Sequence, residues 1–84
     1  MSSPEFSLLR LHVVADSDPG ALIRVLERFQ NLNVSPRRVI AEAAMDGTLH
    51  IEIDIGDLPQ QTLTLITAKL RQCIFVQNAD WHLV

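Results

Sequence analysis

Apolar and polar residues alternate along four segments of the chain, and two further segments repeat apolar residues three and four positions apart. Alternation predicts strands with one buried face, and the three-to-four spacing predicts amphipathic helices. The helical segments are 19–32 and 59–73, and Asn31 or Asn33 ends the first because asparagine tolerates a left-handed backbone. The predicted strands are residues 6–15, 37–44, 48–55 and 76–84. The chain is therefore two successive strand–helix–strand units.

Each helix carries one apolar stripe and each strand one apolar face, so a single sheet with both helices on one side buries them all. We therefore expect an α+β fold, a ferredoxin-like βαββαβ sandwich with a four-stranded antiparallel sheet and two helices on one face. In this arrangement the second strand lies at an edge. The second helix is expected to bury Leu63, Ile66, Leu70 and Cys73, and the last strand Ala79, Trp81 and Leu83. The uncovered face is expected to carry Arg10, His12, His50, Glu52, Asp54, Asp80 and His82.

The cost of burying a charged side chain predicts the register of the hairpin between the second and third strands. A two-residue Asp-Gly loop would place Glu42 opposite Ile51 in the core, and burying an unpaired carboxylate is expensive. A three-residue loop at 45–47 places Ala41 opposite Ile51 instead. We therefore predict the three-residue loop, with Gly47 in the left-handed conformation.

The turn between the first strand and the first helix, "DSDPG", places one of only three glycines directly after a proline. Asp18 is expected to cap the helix with its carboxylate, and Pro19 to occupy the first helical position. Gly20 is worse than alanine in a helix by roughly 1 kcal/mol. Either it relieves crowding at helix initiation, which local chemistry alone favours, or it lets a ligand approach the helix amino terminus. Because Asp16 and Asp18 would repel a bare anion, a zwitterion, whose ammonium group one aspartate can meet, fits this turn better.

Composition narrows the class of protein. The 84 residues form one domain, expected at 6–84 after a loose tail at 1–5, and a lone core of this size is marginal without a partner subunit. The net charge is −3 and no basic run is longer than Arg37-Arg38, which argues against nucleic-acid binding. Cys73 is the only cysteine, so we expect no disulfide and a cytoplasmic location. No apolar run approaches the about 20 residues of a membrane span, so no membrane partner is expected.

Candidate catalytic and metal-binding groups are few. Three histidines share the uncovered face with acidic residues, but each comes from a separate strand without a local ligand motif. A solvated polar face with an Arg10–Glu52 pair is therefore favoured over a metal site. Cys73 lies on an apolar stripe and is expected to pack rather than react. The chain contains no nucleophile elbow, phosphate-binding loop or dinucleotide fingerprint. We expect no enzyme activity, no cofactor and no metal.

Two other classes of protein share this order of elements. An RNA-binding domain needs aromatic side chains on the sheet to stack bases, and the third strand, "TLHIEIDI", has none. An acylphosphatase-like enzyme needs a phosphate-cradling loop rich in glycine and arginine, whereas "ADSDPGA" contains two acids and no base. Both classes are therefore disfavoured.

The stretch "DSDPGALIRVLERFQNLNVSPRRV" resembles the first half of an ACT domain, in which a strand enters a D-x-P-G-type turn and then a helix. The G-x-L-x-x-[VI]-x-x-F-like helix pattern of that family corresponds to Gly20, Leu22, Val25 or Leu26, and Phe29. The likeness extends over the order of elements from residue 6 to 83. Among ACT domains, "GALIRVLERF" is most similar to the small regulatory subunit of acetolactate synthase, in its short form.

The resemblance implies a regulatory module that binds a small amino acid between two subunits. Carried over by position, the ligand-binding residues are Asp16, Asp18, Gly20, Ala21 and Leu22 in the turn, with Ser35 and Pro36 contributed by the partner. The sequence departs from the family after the helix, where "LNVSPRR" replaces a Gly-x-Asn-Ile-like stretch. Pro36 has no N–H to donate there.

We expect a homodimer through the edge strand 37–44 and the first helix. The small residues of that strand leave it weakly guarded against pairing with a copy of itself. The expected function is regulation of a biosynthetic enzyme such as acetolactate synthase, in branched-chain amino acid synthesis. The alternative is a scaffold or activating subunit that holds a catalytic partner and binds no effector. Pro36 favours this alternative, and Gly20 favours the sensor.

Overall fold

The computed structural model describes residues 8–56 and 58–84, so the predicted tail at 1–5 and the predicted strand start at Phe6 lie outside the described residues. The elements in chain order are β1 (Leu8–Asp16), α1 (Ala21–Asn31), β2 (Arg38–Ala43), β3 (Thr48–Gly56), α2 (Gln60–Arg71) and β4 (Val76–Leu83). The strands form one antiparallel sheet in the order β2-β3-β1-β4. The predicted ferredoxin-like architecture and the edge position of β2 are confirmed. Neither helix of the described chain is long and apolar enough to cross a membrane.

The core lies between one face of the sheet and the two helices. Its largest side chains are each at most 1% exposed. They are Leu11, Val13, Ile51, Ile53 and Ile55 from the central strands, and Val25, Phe29, Leu63, Ile66 and Leu70 from the helices. Full burial of one such side chain contributes roughly 1.5–3 kcal/mol. Because strands and helices share one cluster, both helices are held on the same face of the sheet.

Three side chains that the pattern assigned to the core lie at its margin, and one of them, Trp81, is partly buried against the core cluster. Cys73 is half-buried because α2 has ended two residues earlier, and the helical period no longer directs it inward. Thr67 is buried on α2 instead and donates its hydroxyl to the Leu63 carbonyl at 2.8 Å. Leu83 is 65% exposed because it is the last residue of the edge strand β4, beside an open cleft.

The β2–β3 hairpin has the predicted three-residue loop. Ala41 pairs with Ile51 across the ladder, and the Ala44 N–H donates to the Thr48 carbonyl at 2.8 Å. Gly47 has a φ of 87°, in the region that strains any residue with a Cβ. The predicted loop is therefore confirmed, but Ala41 is exposed in the single chain, so the burial of a carboxylate at this position does not explain the register.

The start of α1 differs from the prediction. The helix begins at Ala21, and Gly20 is its N-cap with no side-chain hydrogen bond to the helix. The Ala21 N–H donates instead to the Asp18 main-chain carbonyl at 2.9 Å, which closes a turn around Pro19 and Gly20. The Asp18 carboxylate lies 3.9 Å from the Arg24 guanidinium. The predictions of an Asp18 cap and a helical Pro19 were therefore wrong, because a main-chain turn satisfies the donor.

The end of α1 agrees with the prediction. The helix ends at Asn31, and Asn33 adopts the left-handed conformation with a φ of 59°. The Asn33 N–H donates to the Gln30 carbonyl and the Val34 N–H to the Phe29 carbonyl, both at 2.9 Å. This pair of bonds is a Schellman motif, and it turns the chain away from the helix axis towards β2.

Candidate functional site

The turn between β1 and α1 is attached by its main chain to the two neighbouring connections. The Asp16 N–H donates to the Phe75 carbonyl at 2.8 Å, and the Ser17 N–H donates to the Gly47 carbonyl at 2.9 Å. Within the turn, the Asp18 N–H donates to the Asp16 carbonyl at 2.8 Å. These bonds join the turn to the β2–β3 loop and to the approach to β4, so its backbone position is fixed by the sheet.

The side chains of the turn present two exposed carboxylates. Asp16 accepts a hydrogen bond from the Gln77 amide at 2.9 Å, and Asp18 faces Arg24. The Arg24 guanidinium in turn lies 5.7 Å from the centre of the Phe75 ring. The turn therefore combines two negative carboxylates with one positive guanidinium, that of Arg24. Such an arrangement suits the ammonium group of a zwitterion better than a bare anion.

Nothing in the fold of one copy requires a glycine at position 20. Gly20 has an ordinary φ of −89°, and a Cβ there would meet only side-chain atoms of Asp18 and Arg24 at 3.6–3.8 Å. Relief of crowding, one of the two interpretations from the sequence, is therefore contradicted by the geometry. Ala21 is completely buried, so only its main chain could meet a ligand, whereas Leu22 packs against the core but is partly exposed.

Ser35 and Pro36 lie at the other end of α1 from the turn. They line a groove of about 610 Å³ between α1 and β2. The apolar residues of this groove are Ile23, Leu26, Phe29, Val34, Pro36 and Val39. An 11-residue helix is about 16 Å long, so one copy of the chain does not bring the seven predicted site residues together.

The start of β2 offers few main-chain donors. Pro36 has none, and the Arg37 N–H donates to the Asp54 carbonyl at 2.7 Å within the sheet. Ser35 is exposed and adds a hydroxyl that can both donate and accept. Any polar contact from this segment would therefore come mainly from Ser35.

A buried carboxylate organises the uncovered face of the sheet. Asp54 is 3% exposed and accepts hydrogen bonds from Arg10 Nε at 2.7 Å and Arg10 Nη2 at 3.0 Å. Arg38 Nη1 lies 3.4 Å from the same carboxylate. Arg10 lowers the pKa of Asp54 chiefly through these hydrogen bonds, and Asp54 raises the pKa of Arg10 in the same way. The predicted partner Glu52 is secondary, at 3.7 Å from Arg10.

The same face carries a pair of histidines that the sequence analysis did not pair. The His12 and His50 rings are stacked with their centres 5.5 Å apart, and His50 Nδ1 lies 3.4 Å from His12 Nε2. Within residues 8–56 and 58–84, no group of three or more His, Cys, Asp or Glu side chains is placed to hold a metal ion. Alternation put both histidines on one face, but only the strand order makes them neighbours.

Comparison with known proteins gives the family. A family model described as an ACT-like domain matches residues 3–84. A search of curated proteins finds no match.

Several solved structures share the fold. The C-terminal domain of the MgtC protein from Mycobacterium tuberculosis has a TM-score of 0.78 at 12% identity, covering 100% of this chain and 94% of that one. The ACT domain from GTP pyrophosphokinase of Chlorobium tepidum has a TM-score of 0.76 in its crystal structure at 18% identity, covering 92% and 99%. The uncharacterized protein TM1266 from Thermotoga maritima has a TM-score of 0.74 at 16% identity, covering 95% and 99%. At these identities the likeness concerns the fold alone.

Proposed function

We propose that this chain, which belongs to the family of ACT-like domains, is a regulatory module that binds a small amino acid between two copies of itself. ACT domains are generally regulatory and ligand-binding. The observation that carries the proposal is the apolar groove between α1 and the edge strand β2, which ends at Ser35 and Pro36. Ile23 on its rim is 62% exposed and Val39 is 38% exposed. Apolar side chains beside an open sheet edge favour pairing with a second copy.

The two halves of the candidate site meet when the copies are related by a two-fold axis beside β2. Antiparallel pairing of the two β2 edges makes the two α1 helices antiparallel as well. The partner subunit's Ser35 and the partner subunit's Pro36 then approach the turn of the first copy. The two halves of the site lie about 16 Å apart in one chain, and they meet across the interface between the two copies, here called the seam.

The chemistry of the turn favours a zwitterionic ligand. The carboxylates of Asp16 and Asp18 are exposed and can accept from an ammonium group. The missing Cβ of Gly20 leaves the backbone open where α1 begins, and a helix amino terminus favours a carboxylate. The apolar lining of the α1–β2 groove favours an aliphatic side chain on that ligand.

The partner that best fits the sequence is a biosynthetic enzyme such as acetolactate synthase, in branched-chain amino acid synthesis. The support is the resemblance of residues 20–29 to the small regulatory subunit of that enzyme. A ligand bound at the interface between the two copies would favour the arrangement of the copies for which it has the higher affinity. That change of arrangement would alter the activity of the enzyme partner.

A second candidate function is a scaffold that holds a catalytic partner without an effector. Pro36 supports it, because it removes a main-chain donor from the segment that would face the ligand. Two fully exposed apolar side chains also support it. They are Met45, in the β2–β3 loop, and Ile74, in the α2–β4 connection. Both connections are hydrogen-bonded to the turn region, where a docked protein would cover them.

Thermal unfolding with a panel of L-amino acids separates the two functions. A ligand at ~100 times its dissociation constant adds about 2.7 kcal/mol to the free energy of unfolding. For a domain of this size that raises Tm by roughly 10 °C or more. The matched variant is Gly20→Ala, which the fold accommodates without strain. It is expected to keep or raise the Tm of the ligand-free protein and to abolish the shift.

If no amino acid raises the Tm of the parent protein, the sensor function is wrong and the scaffold remains. If an amino acid raises the Tm of the parent and of Gly20→Ala equally, a ligand binds but the turn is not its site.

A further inference from the structure

The two stacked histidines lie at the middle of the uncovered sheet face. His12 on β1 pairs with Glu52 on β3, and His50 pairs with Val14, so the histidines are diagonal neighbours on the two central strands. Both strands are hydrogen-bonded on each side, which fixes the two Cα positions. The ring planes are inclined by only 29° and the facing nitrogens are 3.4 Å apart.

That separation matches the distance between two ligand atoms bound to the same metal ion. Zinc–imidazole bonds are about 2.0–2.1 Å long, and two tetrahedral ligands at that length stand roughly 3.3–3.4 Å apart. The spacing of His12 Nε2 and His50 Nδ1 is therefore already that of two ligands on one ion. A change in the orientation of the two rings would direct both lone pairs at a common ion.

The surroundings of the pair add space and negative charge. A cavity of about 250 Å³ is lined by both histidines together with Ile40, Glu42 and Glu52. Glu42 pairs directly with His50 across the β2–β3 ladder, which places its side chain within reach of the same ion. Glu52 is 3.5 Å from Arg38 and supplies charge rather than a further ligand.

We propose that His12 and His50 form a bidentate site for a divalent transition metal of the Cu²⁺, Ni²⁺ and Zn²⁺ group. Imidazole nitrogen is a preferred ligand of these ions, whereas Mg²⁺ and Ca²⁺ select oxygen. Water completes the coordination, and the Glu42 carboxylate adds negative charge beside the site. The bound ion joins β1 to β3 across the uncovered face, and this site is independent of the turn and of the α1–β2 groove.

The alternative for this geometry is a single hydrogen bond between two solvated imidazoles. At 3.4 Å between exposed rings, such a bond is long and weak. The two alternatives are distinguished by the ion: the hydrogen bond forms between the histidines alone, whereas the metal site binds an added ion and loses affinity when either histidine is replaced.

Calorimetric titration of the tag-free chain with CuCl2 and with ZnCl2 tests the site. The variants are His12→Gln and His50→Gln, with His82→Gln as the matched control from the same sheet face on the other side of β1. Each of the first two is expected to weaken binding at least about tenfold, equivalent to about 1.4 kcal/mol. His82→Gln is expected to leave the affinity unchanged. Circular dichroism checks that every variant is folded.

Electron paramagnetic resonance of the Cu²⁺ complex gives a second readout, which loss of stability alone would not change. The parent protein is expected to show coupling to two imidazole nitrogens, and each of the His12 and His50 variants to only one. The proposal is overturned if the double His12→Gln, His50→Gln variant binds both ions as tightly as the parent. It is also overturned if His82→Gln weakens binding as much as the other two variants, since the ion would then bind the face without a defined pair.

Discussion

Asp54 is a carboxylate buried on a sheet face that otherwise meets water. Its burial is tolerated because Arg10 contacts it through two nitrogens and Arg38 adds a third contact. Such a two-pronged pair fixes the geometry of both partners and is stronger than a hydrogen bond between neutral groups. Removing one partner of a buried pair leaves the other without compensation for lost water. Asp54 is therefore the polar residue of this face on which stability depends most.

Asp54→Asn tests this dependence. The variant keeps the shape of the side chain but loses the charge that Arg10 contacts, so the free energy of unfolding is expected to fall by roughly 2–3 kcal/mol. Urea unfolding followed by circular dichroism measures the change. Glu52→Gln is the matched control, because Glu52 is more exposed and farther from Arg10, and a loss below about 1 kcal/mol is expected. Equal losses in the two variants would contradict the central role of Asp54.

The same pair predicts the direction of the pH dependence. Because Arg10 lowers the pKa of Asp54 in the folded state, the stabilisation is fully present above the ordinary aspartate pKa of about 3.9. It is lost as the pH falls through the lower pKa of the folded protein. The difference in unfolding free energy between the parent and Asp54→Asn is therefore expected to close below about pH 4. Urea unfolding at neutral and acidic pH checks this, and a gap that stays constant would refute it.

At the scale of elements, the two ends of α1 differ in how far the sequence determines them. The carboxyl end is predictable because Asn33 must adopt a left-handed backbone, which few residues accept. The amino end is less determined, because a main-chain carbonyl can replace the side chain that would cap it. Asp18 supplies the carbonyl instead of the carboxylate, and the helix begins at Ala21.

Substitution of Asn33 tests the role of that left-handed position. Asn33→Ala is expected to lower the free energy of unfolding by about 1 kcal/mol, since alanine has the same Cβ but lacks the short polar side chain that hydrogen-bonds locally in the left-handed conformation. Asn33→Gly is expected to leave stability unchanged or to raise it slightly. Asn31→Ala, at the last helical residue, is the control and is expected to change stability by less than about 0.5 kcal/mol. The Schellman motif would not be the reason for Asn33 if the alanine and glycine variants had equal stability.

Strand period, with one apolar face per element, was sufficient to predict the sheet and its strand order. The hairpin register was also predicted correctly, but the reason given for it fails, because Ala41, which pairs with Ile51, is exposed. Cys73 lies beyond the end of α2, so helical period gave it the wrong environment. The candidate site was predictable only in part. Local pattern marks the turn as unusual at Gly20, but spacing along one chain cannot show which residues of a second copy would approach it.

At the scale of the whole molecule, the two edges of the sheet have different surroundings. The edge at β2 borders the apolar groove with α1, whereas β4 packs beside α2. A chain of 84 residues buries a smaller fraction of its surface than a larger domain does. Covering the groove would add apolar burial where the monomer lacks it. The same contact would bring the separated halves of the candidate site together, so stability and ligand binding would depend on one interface.

Ile23→Glu tests that interface without disturbing the core. Ile23 lies on α1 at the groove and is 62% exposed, so a carboxylate there is hydrated in the monomer but buried in the seam of a dimer. We expect the dimer dissociation constant to rise at least about tenfold, or about 1.4 kcal/mol, as measured by sedimentation velocity over a range of concentrations. Leu65→Glu on α2 is the matched control, since Leu65 is 47% exposed and lies outside the groove. A parent chain that remains monomeric at high concentration would rule out the seam, as would equal effects of the two variants. Loss of the dimer in Ile23→Glu alone would assign the contact to α1 and β2, because both variants add the same charge to an exposed helix position.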